Sequence, residues 1–390
     1  MSVERIGIGM LGYGFMGRAH AGAYRTLRHL PAPSPLVPSL VSVCGRTRSA
    51  VAAAAEEFGF AGSTTDWREV VADARVAVFD NTGPNSLHHA PTIAAARQGK
   101  HLICEKPLGL NADESFEMWA AASDAGVQHM CAFNYRFVPA VRLAREMLEA
   151  GELGEIYHFR GRYLQDWVLD PDLRRGWRLN RSVAGSGALG DLGAHVIDLA
   201  RYLVGEPATV AATMAAFVTG RPDAGDLDEA VDDAVEAAVE FESGAIGTIE
   251  ASRVCAGRKN ALTFEISGSK GSIAFDLERL NELQVNLSGS TNPNLEGFRT
   301  VLVTQPQHPY LSNWWPPGHV LGWEHTFTHE LAHFLNAIAR DESVAPHGAT
   351  FADGYRAAEV CDAIGRSARF GRREAVSYRA LTSESVRTGI

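Results

Sequence analysis

The pattern that constrains this chain most is Gly12-Tyr13-Gly14-Phe15-Met16-Gly17, set between an apolar run at 6–11 and a helical pattern at 16–28. The first glycine permits a tight turn, the second lets main chain approach a ligand, and the third lets the helix pack closely on its strand. Main-chain N–H groups at the helix start then face an anion, so strand, turn and helix in that order point to a dinucleotide diphosphate. Short buried runs at 40–44, 76–79, 101–104 and 128–133 alternate with helical patterns at 49–58, 90–98 and 112–125. That alternation is the mark of a doubly wound parallel sheet. Prolines at 31, 33, 35 and 38 make 29–39 a surface excursion.

After a helix at 138–150 the pattern changes. Strands at 156–162, 209–218, 235–241, 245–252, 262–267 and 272–275 follow without regular helices between them. They predict a large, mostly antiparallel open sheet with one face on helices and the other free to meet a partner. Helices are expected at 188–204, 325–339 and 351–370, and a polar tail or peripheral strand at 377–390. The fold class is therefore α/β, an N-terminal Rossmann doubly wound sheet followed by a second α/β domain. Residues 1–133 read as the dinucleotide-binding domain and 134–390 as the domain for substrate binding and oligomerisation, a division that suits 390 residues.

Composition excludes several classes. With 46% apolar and 21% charged residues the chain is neither disordered nor fibrous. A net charge of −10 argues against nucleic acid as partner. No apolar stretch approaches the roughly 20 residues that cross a bilayer, so no membrane is expected. The first residues run straight into a strand pattern, which places the protein in the cytoplasm. Five scattered cysteines without a CxxC pair read as reduced core residues.

Glu105-Lys106-Pro107 follows a strand directly, so Lys106 stands at a strand's carboxyl end, where open α/β sheets bind ligands. Further on, a glycine-rich loop at 185–190 leads into a helix on which Asp191 and His195, four apart, share a face. The acid that would accept a ribose 2′-hydroxyl after the second strand is absent. Cys44-Gly45-Arg46-Thr47-Arg48 stands there, and Arg46 suits a 2′-phosphate or an adenine face, which by itself favours NADP. His329-Glu330-Leu331-Ala332-His333 spells the zinc-protease signature, but a metallopeptidase also needs a third ligand and an edge strand in a different architecture, and Phe327, Leu331 and Phe334 form a packing stripe. A polar helix surface is the expectation, with His325 a minor candidate for the substrate cleft, no metal, and a zinc hydrolase disfavoured.

The segments GYGFMGRAH (12–20), GPNSLHHA (83–90), CEKPL (104–108), FNYR (133–136) and GALGDLGAHVIDL (187–199) resemble the glucose-fructose oxidoreductase / inositol dehydrogenase (Gfo/Idh/MocA-like) superfamily. Order and spacing hold over nearly the whole chain. Segments 133–144, 163–171 and 184–191 look most like members that oxidise a secondary hydroxyl of an anhydrosugar. The resemblance implies hydride transfer between a secondary hydroxyl of a sugar, anhydrosugar or cyclitol and NAD or NADP. Relatives with a similar glycine-arginine pair include NAD enzymes, which tilts the expectation to NAD. It also implies His195 as general base, Lys106 as hydrogen-bond donor to the reacting oxygen, and Asp191 as the group that orients them.

Cofactor contacts carried over are Gly12, Tyr13, Gly14, Phe15, Met16, Gly17, Arg46, Asn85, His88, Glu105, Lys106 and Asn134. Substrate contacts are Tyr135, Arg136, Gln165, Asp166, Trp167 and Arg178, and Arg174, Arg175 and Arg178 would admit an anionic sugar. A homodimer or homotetramer through the open sheet is implied as well. Alternatives within the fold are an inositol dehydrogenase and a glycosidase that oxidises the sugar ring transiently with bound NAD. One departure is the fourth strand's end, where the family's threonine-proline pair is replaced by Asn81-Thr82-Gly83-Pro84.

Overall fold

The computed structural model describes residues 4–381 except 32–33, 171–172, 174–175, 219–229, 290–291, 293 and 295. Arg174 and Arg175, and most of the expected C-terminal tail, lie outside the described residues. The chain divides into two compact units, Met1–Asn134 with Trp323–Ala358 and Arg379–Ile390, and Tyr135–Gly322 with Glu359–Tyr378.

In the first unit, β1 (Glu4–Leu11), β2 (Leu36–Cys44), β3 (Gly62–Thr64), β4 (Val78–Asn81), β5 (His101–Glu105) and β6 (His129–Ala132) form one sheet among the described residues. Their order is β3-β2-β1-β4-β5-β6, every neighbouring pair parallel. The connecting helices are α1 (Phe15–Thr26), α2 (Arg48–Phe58), α3 (Trp67–Ala72), α4 (His89–Arg97) and α5 (Ala112–Asp124). Parallel strands covered on both faces have to be apolar throughout, and Ile8, Met10, Val78, Phe79, Leu102 and Ile103 are fully buried. The strand order reverses between β1 and β4, whose carboxyl ends at Leu11 and Asn81 lie side by side. Ligands of such sheets bind at that switch point.

β2 begins at Leu36 rather than at residue 40 and so absorbs part of the proline-rich excursion. β3 pairs only with Ser42–Cys44, so Pro38 lies ahead of that ladder, where its missing N–H leaves no ladder bond unmade. The sequence boundary at 133/134 also assigned the later helices wholly to the second domain. In the structure α9 (Glu324–Arg340) and the start of α10 (Phe351–Phe370) pack with the first unit. α9 lies on α1, with Phe327 against Trp323 and His20. Tyr355 of α10 stacks on Trp119 and meets Phe116 edge-on.

In the second unit nine strands form one sheet among the described residues: β7 (Ile156–Leu164), β8 (Pro207–Ala215), β9 (Ala234–Phe241), β10 (Ile246–Ser252), β11 (Ala261–Gly268), β12 (Gly271–Asp276), β13 (Glu282–Leu287), β14 (Arg299–Leu302) and β15 (Glu374–Ala375). Their order is β14-β13-β12-β11-β7-β10-β9-β8-β15, and only β7 and β10 run parallel. The short peripheral strands β13 to β15 carried too little periodicity to be read in advance. α6 (Pro139–Glu149) and α8 (Ala194–Leu203) cover the inner face, and α7 (Arg181–Ala184) is a single turn. Gly161 lets α8 come close, because a Cβ there would stand 2.6 Å from a Val196 methyl. On the other face Arg160 pairs with Glu265, and Glu236, Ala238 and Thr248 are exposed. The helix expected over 188–204 begins as a π-helical turn at Leu189–Gly193 before continuing as α8.

Candidate active site

The glycine turn of the first unit is built as its sequence required. Gly12 has φ +102°, and a Cβ there would lie 2.6 Å from the Thr82 carbonyl oxygen. Thr82, in the stretch that departs from the family pattern, donates its hydroxyl to the Leu11 carbonyl at 3.0 Å and so ties β4's end to the turn. A Cβ on Gly14 would meet nothing within 4 Å, and no side chain caps the start of α1. Open space over an uncapped helix N-terminus fits a diphosphate, so the residues present suit a dinucleotide. Beside it the Tyr13 ring packs closely on Gly45, where a Cβ would stand 1.9 Å from a ring carbon, and Arg46 follows, exposed. Phe15, 65% exposed, stacks on Trp323 with ring centroids 5.3 Å apart. Met16 is partly buried on the first turn.

At the ends of β4 and β5, Asn85, His88 and Glu105 are buried, and Lys106 is half-buried on the turn leaving β5. The ring nitrogens of His88 lie 2.8 Å from the Pro107 carbonyl and 3.0 Å from the Gly83 carbonyl. His88 was expected to touch cofactor; its side chain, with no exposed surface, is turned instead to these two main-chain groups. The Asn134 amide donates to Thr326 at 2.9 Å, and the Thr326 hydroxyl donates to the Trp323 carbonyl. Thr326 was not read as a site residue, because 192 positions separate it from Asn134.

The second unit gathers most of the remaining candidates. His195, 6% exposed at the start of α8, packs against Tyr135 at 4.6 Å and Tyr163 at 5.9 Å between ring centroids. A hydrogen-bonded chain flanks it. The Tyr135 and Tyr163 hydroxyls are 2.8 Å apart, Tyr163 donates to Asn260 at 2.6 Å, Gln165 donates to Asn260 at 2.7 Å, and the Trp167 indole donates to Gln165 at 2.7 Å. Burial, with Tyr135 and Asp191 close by, pushes the Tyr163 phenol well above its ordinary range, so it stays a hydroxyl at neutral pH. Asp191 sits in the π-turn, 3.9 Å from Arg178 and 4.0 Å from Arg253. Single π-turns recur at functional sites because they re-aim side chains within a helix.

Arg253, Asp232 and Asn260 escaped the sequence reading. Arg253 is fully buried, lies over the Trp167 ring and donates to the Asp232 carbonyl. The Asp232 carboxylate accepts the N–H groups of Gly187 and Leu189 at 2.6 and 2.7 Å, which anchors the loop ahead of the π-turn. No local motif announces such partners.

Two expected substrate contacts are engaged elsewhere. Arg136 is 3% exposed and makes a two-pronged pair with Asp198 at 2.8 and 2.6 Å, with its guanidinium over Tyr202. Asp166 accepts from Lys259 at 2.7 Å and from the Gly257 N–H at 3.0 Å, and these hydrogen bonds hold its carboxyl below the usual range. On α9, His329 and Glu330 are buried, and the His333 ring donates to the Val344 carbonyl at 2.7 Å. Among the described residues no group of three His, Cys, Asp or Glu side chains is placed to hold a metal. No helix among them is long and apolar enough to cross a membrane.

A parallel sheet with an open glycine cradle at its switch point, joined in sequence to a large mostly antiparallel sheet, defines a two-unit dinucleotide-binding protein. The chain belongs to the GFO/IDH/MocA oxidoreductase family: residues 6–133 match the family's NAD-binding Rossmann fold, and residues 141–274 match its C-terminal domain. It is 44% identical to levoglucosan dehydrogenase of Pseudarthrobacter phenanthrenivorans over 382 residues, 94% of this chain and 97% of that protein. It is 28% identical to inositol 2-dehydrogenase of Rhizobium meliloti over 362 residues, 92% and 96% of the two chains. The solved structure of levoglucosan dehydrogenase in complex with NADH and levoglucosan superposes with a TM-score of 0.92 at 44% identity, covering 96% of this chain and all of that one. NAD is the cofactor of the family's first domain.

Proposed function

We propose that this chain oxidises a secondary ring hydroxyl of an anhydrosugar of the levoglucosan type, reversibly, with NAD. The observation that carries the reading is 44% identity extending over nearly the full length of both chains to an enzyme named for that substrate. The polar and aromatic surroundings of His195 support it, since sugar recognition combines hydrogen-bonding groups with a flat apolar surface. Gly12 to Gly17, Arg46, Asn85, Glu105 and Asn134 would hold the cofactor, and bound NAD supplies the hydride acceptor. His195 takes the hydroxyl proton, because a neutral imidazole titrates near working pH. Lys106 donates a hydrogen bond to the same oxygen and stabilises the negative charge that develops there. Asp191, beside Arg178 and Arg253, orients the proton-accepting group. Tyr135, Gln165, Trp167 and Arg178 serve the sugar.

The reading places the enzyme in the cytoplasm, a compartment that suits its five free cysteines. It acts as a homodimer or homotetramer through the outer face of the second sheet. The decisive experiment incubates the protein with NAD or NADP and levoglucosan, inositols or aryl glycosides while the absorbance of reduced nicotinamide is followed. Levoglucosan should yield reduced NAD in proportion to sugar consumed. Release of aglycone without net cofactor reduction, or turnover confined to inositols, would overturn the assignment.

A further inference from the structure

The first unit holds two fully buried histidines that the proposed chemistry does not use, and both lie against the turn that carries Lys106. His20, on α1, has Nδ1 3.0 Å from Asp80 Oδ2 on β4 and Nε2 3.1 Å from Glu105 Oε1 on β5. The other Glu105 oxygen accepts the main-chain N–H of Lys106 at 3.1 Å. His88 meets the far side of the same turn through the Pro107 carbonyl at 2.8 Å, and its second nitrogen reaches the Gly83 carbonyl at 3.0 Å. The peptide before Lys106 Cα is thus tied to the helix that opens at the glycine turn, and the peptide after Pro107, the next residue, to the loop following β4.

We propose that His20 and His88 are positioning residues for Lys106, gripping the Glu105–Pro107 turn from both sides so that the lysine is aimed from a fixed Cα. Lysine carries a long flexible stem, so directing its ammonium requires an immobile origin, and a displacement near 1 Å at a reacting group costs about 10² in rate. His20 has the stronger hold. Burial alone would strip its proton, but Asp80 and Glu105 on either side raise it well above its ordinary value, so both ring nitrogens donate to carboxylates. The other titratable groups around this cluster are Tyr24 on α1, Cys104 on β5 and Glu330 on α9. None of the three carries a positive charge, and the Tyr24 hydroxyl interacts with the same Asp80 carboxylate that His20 meets. Burial holds His88 below its ordinary value, so the neutral ring has one N–H to donate, and the clamp assigns it to the shorter contact, the Pro107 carbonyl at 2.8 Å.

The inference rests on the reading of Lys106 as a participant in the reaction, and the test separates the two. The full-length enzyme would be compared with K106A, H20Q, H88Q and the double variant H20Q/E105Q. For each, NADH dissociation constant, melting temperature, kcat and KM for levoglucosan would be measured, together with the rate of Lys106 acylation by an amine reagent against pH, read by mass spectrometry without substrate. H20Q should retain NADH affinity and KM within about threefold while kcat falls roughly 10- to 100-fold. The pH dependence of Lys106 acylation should shift in H20Q while that of Lys270, in the second unit, does not. E105Q removes one of the two buried carboxylate charges, Asp80 and Glu105, that H20Q leaves without a counter-ion, so the double variant should recover part of the melting temperature lost in H20Q. H88Q reports independently if H20Q does not fold. Unchanged kcat and unchanged Lys106 acylation in a folded histidine variant would overturn the clamp, as would losses that merely track melting temperature. K106A should lose roughly 10² or more in turnover; full turnover in K106A would instead take down the role given to Lys106.

Discussion

Residue identity predicts chemistry only until a partner is chosen. Arg136 lies next to Tyr135 in a segment bordering the site in relatives, yet its guanidinium is spent on Asp198, 62 positions away and 1% exposed. Removing one member of such a buried pair leaves the other charge uncompensated. Asp198→Asn should therefore cost about 3–5 kcal/mol of stability, read by urea unfolding, while KM for sugar in the folded fraction stays unchanged. A raised KM would return Arg136 to the substrate. His129 illustrates the opposite charge state. Burial lowers it to about 4, and its Nδ1 accepts the Phe351 N–H at 3.0 Å. The unfolded chain binds a proton at this residue near 6.5 and the native protein does not until about 4, so its contribution is present above 6.5 and is lost as pH falls through that interval. His129→Asn keeps an acceptor without titrating, and its melting temperature should drop less between pH 7 and pH 5 than that of the parent. An equal drop would exclude His129 as a source of acid sensitivity.

At the level of elements, α8 and the π-turn that opens it are held from outside their own sequence. The π-turn at Leu189–Gly193 starts where the Asp232 carboxylate accepts two main-chain N–H groups. Asp232→Ala would leave both donors buried without that acceptor, so a loss of about 1–3 kcal/mol per buried group is expected. Turnover should fall more than KM rises, because Asp191 lies within the loosened turn; parallel kinetics and calorimetry check this. On the outer sheet face Glu250 stands directly across from Glu236. Burial and then Glu236 raise the Glu250 carboxyl, opposed by Arg162. Folding is penalised as pH rises through that raised value and the penalty persists above it, so Glu236→Gln should raise the melting temperature at pH 7 and not at pH 4. A gain of equal size at both pH values would refute the charge argument.

Across the whole molecule, the outer face of the nine-stranded sheet carries Ile246, 50% exposed, and Ala238 among charged residues. Light scattering on the eluting protein should give a mass of two or four chains, and charge reversal at Arg160 should lower it; a monomer at micromolar concentration would contradict the proposed assembly. Five of the six parallel strands of the first unit were legible because each is a short apolar run beside its own helix, whereas β3, the three residues Gly62–Thr64, has no apolar run to announce it; the glycine turn announced where a diphosphate fits. The place of Lys106 followed from the same local grammar, since a strand end is a property of neighbouring residues. Only the tertiary structure decided that α9 belongs with the first unit, that Arg136 faces inward, and that His20 joins two carboxylates 60 and 85 positions away. Periodicity and turn chemistry act between adjacent residues and can be read along the chain. Burial and the choice of hydrogen-bond partner depend on which distant segments fill the same space, and that is settled only when the sheets and helices have packed.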